Sequence, residues 1–174
     1  MSQLFIIIVD DTMSNTLEDY TTLAIRKGTT LICQNYNRLL KRIIIPNGVT
    51  SIINHAFVNC YDLQRIIIPV SVQTIGKYAF YDCHSLQTVA IPDNVMSIGQ
   101  AAFCNCLLLC SITISSNVTL IPDNAFSHCR SLQSVAIPDG VTYIGACAFS
   151  GCRSLQSVTI PDSVETIGNY AFYE

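Results

Sequence analysis

The stretch "CNCLLLC" at 104–110 places three thiols within seven residues, and His128 and Cys129 follow further along the chain. Thiolate and imidazole are the ligands of structural zinc, which needs four of them converging tetrahedrally, commonly from a closely spaced cysteine pair. The wider pattern speaks against that use. Cys106 belongs to the series Cys60, Cys83, Cys106, Cys129 and Cys152, spaced 23 residues apart, and Cys110 stands where equivalent segments carry glutamine. Five equivalent thiols are expected to be small buried hydrophobes filling the gap beside a recurrent phenylalanine. No metal and no cofactor is expected. Regular spacing also departs from the irregular, loop-rich disulfide frameworks of small secreted domains. The other four cysteines, Cys33, Cys104, Cys110 and Cys147, follow no such rule.

Acid–base and nucleophilic chemistry find no foothold either. His55, His84 and His128 have no recurrent carboxylate partner, and no nucleophile elbow, phosphate loop or paired acids are present. Asp93, Asp139 and Asp162 each follow a proline and read as turn residues. The expectation is a protein that is not an enzyme. "NVT" at 117–119 is a glycosylation sequon, which matters only in an exported chain. Half of the 174 residues are apolar, 12% are charged and the net charge is −3. That composition argues against a disordered chain and against a nucleic-acid binder, because no basic patch stands out. The run "LFIIIVDD" near the start is too short to span a membrane and poorly built for a signal peptide. No membrane insertion is expected, and buried reduced thiols suit a reducing compartment.

What positions all these residues is a repeat. "CRSLQSVAIPDG" at 129–140 returns as "CRSLQSVTIPDS" at 152–163, and the period of 23 runs through the chain in columns. Valine fills 49, 72, 95, 118, 141 and 164; isoleucine fills 52, 75, 98, 121, 144 and 167; phenylalanine fills 57, 80, 103, 126, 149 and 172. Proline follows a recurrent isoleucine at 46, 69, 92, 138 and 161, with Ser115 the exception. Such columns predict a solenoid in which each unit makes one coil and equivalent residues stack, about 4.8 Å apart where strands pair. In "LQSVAIP", Leu132, Val135 and Ile137 predict a short strand ended by a proline that has no N–H to donate. In "TIGKYAFYDC", Ile75, Ala79, Phe80 and Cys83 fall at i, i+4, i+5 and i+8 and predict one face of a short helix. Each coil is therefore expected as strand, turn, short helix, turn, an α/β solenoid.

The segment "LQRIIIPVSV" at 63–72 has the spacing of a leucine-rich repeat, and "IPDGVTYIGACAFSGCRSLQSVT" at 137–159 resembles the unit of BspA-type surface proteins. The resemblance covers 45–174 as five full units and one partial unit, and reaches 22–44 as a degenerate first repeat through Leu40 and Ile43. It implies a right-handed arc with parallel strands on the concave face and short helices or turns on the convex face. It also implies a cell-surface or secreted protein of adhesion and protein binding, against the compartment that the thiols suggest. Residues 1–21 do not repeat, are more acidic and are expected to cap the first coil. The chain stops at "NYAFYE" without a polar cap, so its last coil is expected to belong to a longer array or to be covered by another chain.

Function is expected where columns vary. Two positions per strand face outward: Arg42, Arg65, Thr88, Ser111, Ser134 and Ser157 in one column, Ile44, Ile67, Ala90, Thr113, Ala136 and Thr159 in the other. Arginine beside exposed aliphatic residues is an interface composition. Arg42, Ile44, Arg65 and Ile67, continued by Thr88 and Ala90, are therefore the candidate protein-binding patch, unless the N-terminal segment shields Ile44 and Ile67. Gln64, Gln87, Gln133 and Gln156 form a flanking column expected to bond from coil to coil through amides. The partner is expected to be a protein. The alternative is a structural building block that self-associates through its C-terminal coil.

Overall fold

The computed structural model describes the main chain of residues 22–24 and residues 41–174 in full. The segment expected to cap the array (1–21), the rest of the degenerate repeat up to Leu40, and Cys33 lie outside the described residues. Seven short strands form one parallel sheet: β1 (Thr22–Ala24), β2 (Arg42–Ile44), β4 (Arg65–Ile67), β6 (Thr88–Ala90), β8 (Ser111–Thr113), β10 (Ser134–Ala136) and β12 (Ser157–Thr159). From β2 onward each strand pairs with its equivalent one repeat away, Arg42 with Arg65, Ile43 with Ile66 and Ile44 with Ile67. The middle residue of each strand from β2 to β10 is buried and the two flanking ones are exposed. β-Branched residues suit this half-buried, pleated position.

The expected helix is absent, and none of the described residues is helical. In its place comes a second row of two-residue strands: β3 (Ser51–Ile52), β5 (Thr74–Ile75), β7 (Ser97–Ile98), β9 (Leu120–Ile121), β11 (Tyr143–Ile144) and β13 (Thr166–Ile167). A run of turns follows each of them. Ile75, Ala79, Phe80 and Cys83 are all buried, so their spacing identified the inward face correctly while naming the wrong element. Two facts exclude a helix here. Each of the first five runs contains residues in the left-handed region four apart, such as His55 and Asn59 (φ 59° and 62°) or Tyr78 and Asp82 (φ 56° and 60°), which a right-handed helix cannot accommodate. Alternate N–H groups also leave the coil: His55, Phe57 and Asn59 donate to the carbonyls of Lys77, Ala79 and Tyr81 at 2.8, 2.7 and 2.9 Å. A helix would spend those donors on itself. The turns spend them on the next coil, and that is what joins the coils on this side.

The core is a set of ladders. Phe57, Phe80, Phe103, Phe126, Phe149 and Phe172 stack ring on ring, with centroids 5.0–5.6 Å apart and planes within 17° of each other. Beside them, Cys83, Cys106, Cys129 and Cys152 donate their S–H groups to the carbonyls of Phe57, Phe80, Phe103 and Phe126, at 3.2–3.3 Å. The thiol thus fills the gap beside the ring, as a small hydrophobe would, and also caps a main-chain acceptor of the preceding coil.

The coils approach most closely at a glycine column. A Cβ on Gly76, Gly99, Gly145 or Gly168 would collide with main-chain atoms of the coil before it. Each of these glycines donates its N–H to a strand carbonyl one coil back, Ile52, Ile75, Ile121 or Ile144, at 2.7 Å. Position 122 in this column is proline. Proline has no N–H for the Ile98 carbonyl and brings ring atoms into the tightest contact. The second row accordingly divides into two three-stranded sheets, β3-β5-β7 and β9-β11-β13, with no pairing between β7 and β9. Side chains join the same two coils nearby. Ser115 Oγ donates to the Asp93 and Val95 carbonyls at 3.1 and 2.6 Å, Asn117 Nδ2 donates to the Asp93 carbonyl at 2.7 Å, and the Ser116 N–H and hydroxyl both donate to Asp93 Oδ1 at 3.0 Å. Those last two bonds hold the Asp93 carboxyl below the usual carboxylate range.

Candidate functional site

The outward face of the long sheet gathers the residues expected to bind. Alternation along each strand turns positions one and three to solvent, so Arg42, Ile44, Arg65, Ile67, Thr88 and Ala90 are all exposed. Register sets Arg42 beside Arg65 and Ile44 beside Ile67, and places Thr88 beside Arg65. Ile44 is 43% exposed and Ile67 51%, whereas Ile43 and Ile66 between the columns are buried. Further along the array the same columns hold Ser111, Thr113, Ser134, Ala136, Ser157 and Thr159. The patch thus lies on the second and third strands of the sheet, with β1 paired beyond it, Thr22 with Arg42 and Ala24 with Ile44. Whether residues 1–21 shield Ile44 and Ile67 lies outside the described residues.

Beside the strands, Gln64, Gln87, Gln133 and Gln156 are exposed. Their column does carry a coil-to-coil ladder, but it runs through the main chain. The N–H of Gln87 donates to the Gln64 carbonyl, Cys110 to Gln87, Gln133 to Cys110 and Gln156 to Gln133, at 2.9–3.3 Å.

The cysteines sort by column. Cys60, Cys83, Cys106, Cys129 and Cys152 are buried, as is Cys104, while Cys110 and Cys147 are half-buried. Burial pushes the Cys60 thiol up to about 11 and those of Cys104 and Cys152 up to about 12. It raises Cys106 as well, and holds Cys83 and Cys129 well above the ordinary thiol value. The three thiols of the 104–110 stretch separate: Cys106 donates to Phe80 in the core and Cys110 donates to the Gln87 carbonyl at 3.3 Å on the flank. Among the described residues no group of three or more histidines, cysteines and acids could hold a metal ion.

Two features escaped the sequence reading. His55 stacks on Tyr78 at 5.0 Å, Tyr61 meets His84 at 4.9 Å and Tyr78 meets Tyr81 edge-on at 5.7 Å, an aromatic cluster on the turn side of two successive coils. The columns concerned change residue type from coil to coil, so the period alone does not single them out. The other feature is a cleft of about 290 Å³ on the last coil, lined by Phe149, Leu155, Val158, Ile160 and Phe172 among others. No helix among the described residues is long and apolar enough to cross a membrane.

A family model described as the BspA type leucine rich repeat region matches in six copies over residues 32–135 and 119–174. Among solved structures, a leucine-rich repeat protein from Bacteroides ovatus is 27% identical with a TM-score of 0.79, over 87% of this chain and 40% of that one. One from Eubacterium ventriosum is 26% identical with a TM-score of 0.73, over 83% and 45%. The T. pallidum leucine rich repeat protein is 29% identical with a TM-score of 0.65, over 74% and 73%. The chain spans less than half the length of the first two. No curated protein matches significantly.

Proposed function

Since the chain belongs to the BspA-type leucine-rich repeat family, whose repeats generally serve as protein-interaction modules, we propose that it is a non-catalytic recognition module that holds a protein partner on the outward face of its long sheet. That face is the concave one in the family's arc, and adhesion is the role that fits it. Arg42, Ile44, Arg65 and Ile67 form the centre of the site, with Thr88 and Ala90 at its margin. The observation that carries this reading is the exposed pair Ile44 and Ile67 beside Arg42 and Arg65, in columns that the other coils fill with small residues. The fold does not require these four side chains. Arginine and large aliphatic residues at a desolvated contact are the kind that dominate binding energy.

The test replaces Arg65 and Ile67 with Ser and Thr, the residues of later coils. The melting temperature should hold while affinity for a partner isolated from the native host falls at least tenfold, about 1.4 kcal/mol. Unchanged affinity rejects the reading.

A second reading rests on the last coil. Leu155, Val158 and Phe172 are only partly buried and Ile160 and Ile167 are exposed at 41% and 46%, although their equivalents Leu132, Val135, Phe149, Ile137 and Ile144 are buried. In a chain of these residues alone, that surface favours stacking of a second copy. Sedimentation over a range of concentrations separates the two readings, because a monomer at every concentration removes self-stacking and leaves the binding face intact.

A further inference from the structure

Among the described residues, the outward face of the long sheet carries charge of one sign only. The residue before each strand and the first and third strand residues make three outward columns. Among the described residues these columns contain Lys41, Arg42 and Arg65 and no carboxylate, in a chain of net charge −3. Pairing in register brings Arg42 directly beside Arg65, with the strands about 4.8 Å apart. Like charges facing each other across a strand pair are destabilising, and no carboxylate among the described residues pairs with either guanidinium. Thr88, Ser111, Ser134 and Ser157 fill the same column without that cost. Two positions along the same strands, Ile44 and Ile67 also stand side by side and exposed.

Resting on the reading of this face as a protein-binding surface, we propose that the partner presents an extended acidic segment in which a carboxylate and a branched aliphatic side chain stand two residues apart. The carboxylate bridges Arg42 and Arg65, and the aliphatic side chain covers Ile44 and Ile67. Geometry sets the spacing. The two outward columns are separated by two residues of strand, about 6.6–6.8 Å, and an extended peptide lying along the strands repeats its own same-side positions at that interval. Guanidinium groups hold a carboxylate through paired, charge-assisted hydrogen bonds, so one anion relieves both arginines. The exposed isoleucines then lose water to an aliphatic neighbour. An acidic peptide meets both halves of the patch. A phosphate backbone meets only the cationic half, and its binders neutralise many phosphates at once.

Panning a displayed library of random dodecapeptides on the whole chain tests this. The expected outcome is enrichment of sequences with Asp or Glu two positions from Ile, Val or Leu. Synthetic versions should bind at least about tenfold more weakly to Arg42→Ser/Arg65→Ser and in salt raised from tens to hundreds of millimolar. Ile44→Thr/Ile67→Thr should weaken them without the salt dependence changing. Enriched peptides that lack carboxylates but are lost on Arg65→Ser/Ile67→Thr overturn the acidic segment and leave the binding face standing. Peptides whose binding survives all three double substitutions overturn both readings, and a library that returns no patch-dependent peptide overturns the proposal. Displacement of the peptides by a single-stranded DNA oligonucleotide assigns the cations to nucleic acid instead. Self-association abolished by Arg42→Ser/Arg65→Ser assigns the face to a second copy. Either result overturns the acidic segment.

Discussion

Replacing Phe103 with alanine should cost far more than the same change at Phe172, though both occupy one column of the repeat. Phe103 is fully buried between Phe80, at 5.0 Å, and Phe126, at 5.6 Å. Truncating a buried phenylalanine costs about 3–5 kcal/mol through lost transfer free energy and the cavity left behind. Each well-placed aromatic neighbour adds about 0.5–1.5 kcal/mol beyond area. Two neighbours put Phe103→Ala at about 4–6 kcal/mol, allowing for partial collapse of the site. Phe172 is only partly buried and has one ring partner, Phe149 at 5.3 Å, which puts Phe172→Ala at about 1–2 kcal/mol. Urea unfolding followed by circular dichroism near 218 nm and by tyrosine fluorescence measures both. In a linear array the lesion at Phe103 also weakens both interfaces of its coil, so the two probes should separate, reporting loss of cooperativity between the halves. Equal costs at the two positions, or a cost below about 1 kcal/mol at Phe103, would refute the ring stack as the main source of the core's stability.

Other expectations follow from the same ladders. A native thiol titration resolved by peptide mapping should label Cys110 and Cys147 well ahead of Cys60, Cys83, Cys106, Cys129 and Cys152, and comparable rates would refute burial of the column. The raised thiols set a sign at alkaline pH. Their folded values of about 11 and about 12 lie above the unfolded value of 9.0, so their contribution is complete below about pH 9 and is lost as pH rises toward 12. Unfolding free energy should fall across that window, and less steeply in Cys152→Ala. Gly99→Ala drives a Cβ into main-chain atoms of Gly76 and Lys77 and should cost about 1–3 kcal/mol or more. Gly140→Ala meets nothing closer than 3.6 Å and should stay within about 0.5 kcal/mol by thermal unfolding.

Much of this architecture was legible in the residues because a repeat repeats its environment. The valine, isoleucine and phenylalanine columns gave the period, the inward face and the strand register, and pleating alone then turned Arg42, Ile44, Arg65 and Ile67 outward. The element after each second strand was not legible from hydrophobic spacing, since i, i+4, i+5 and i+8 suits a helix and a run of turns equally. A signal was nonetheless present. Positions 59, 82, 105, 128 and 151 hold Asn, Asp, Asn, His and Gly, residues that accept the left-handed region more readily than others. The glycines at 76, 99, 145 and 168 likewise marked where one backbone touches the next. Neither column buries apolar area, so a reading built on hydrophobicity passes over both.

Pro122 gives the molecule a mechanical character that its uniform repeat conceals. On one side, the long sheet runs unbroken from β1 to β12; across the body, the short strands are cut once, at the proline. A stack sewn continuously along one margin and notched on the other bends most easily at the notch. The notch lies between the third and fourth valine-to-phenylalanine coils, Val95–Phe103 and Val118–Phe126, where the turns still carry the join through Ala101, Phe103 and Asn105, whose N–H groups donate to the Asp123, Ala125 and Ser127 carbonyls at 2.8–3.0 Å. There the bonds from Ser115, Ser116 and Asn117 to Asp93 act as a clasp between the two coils.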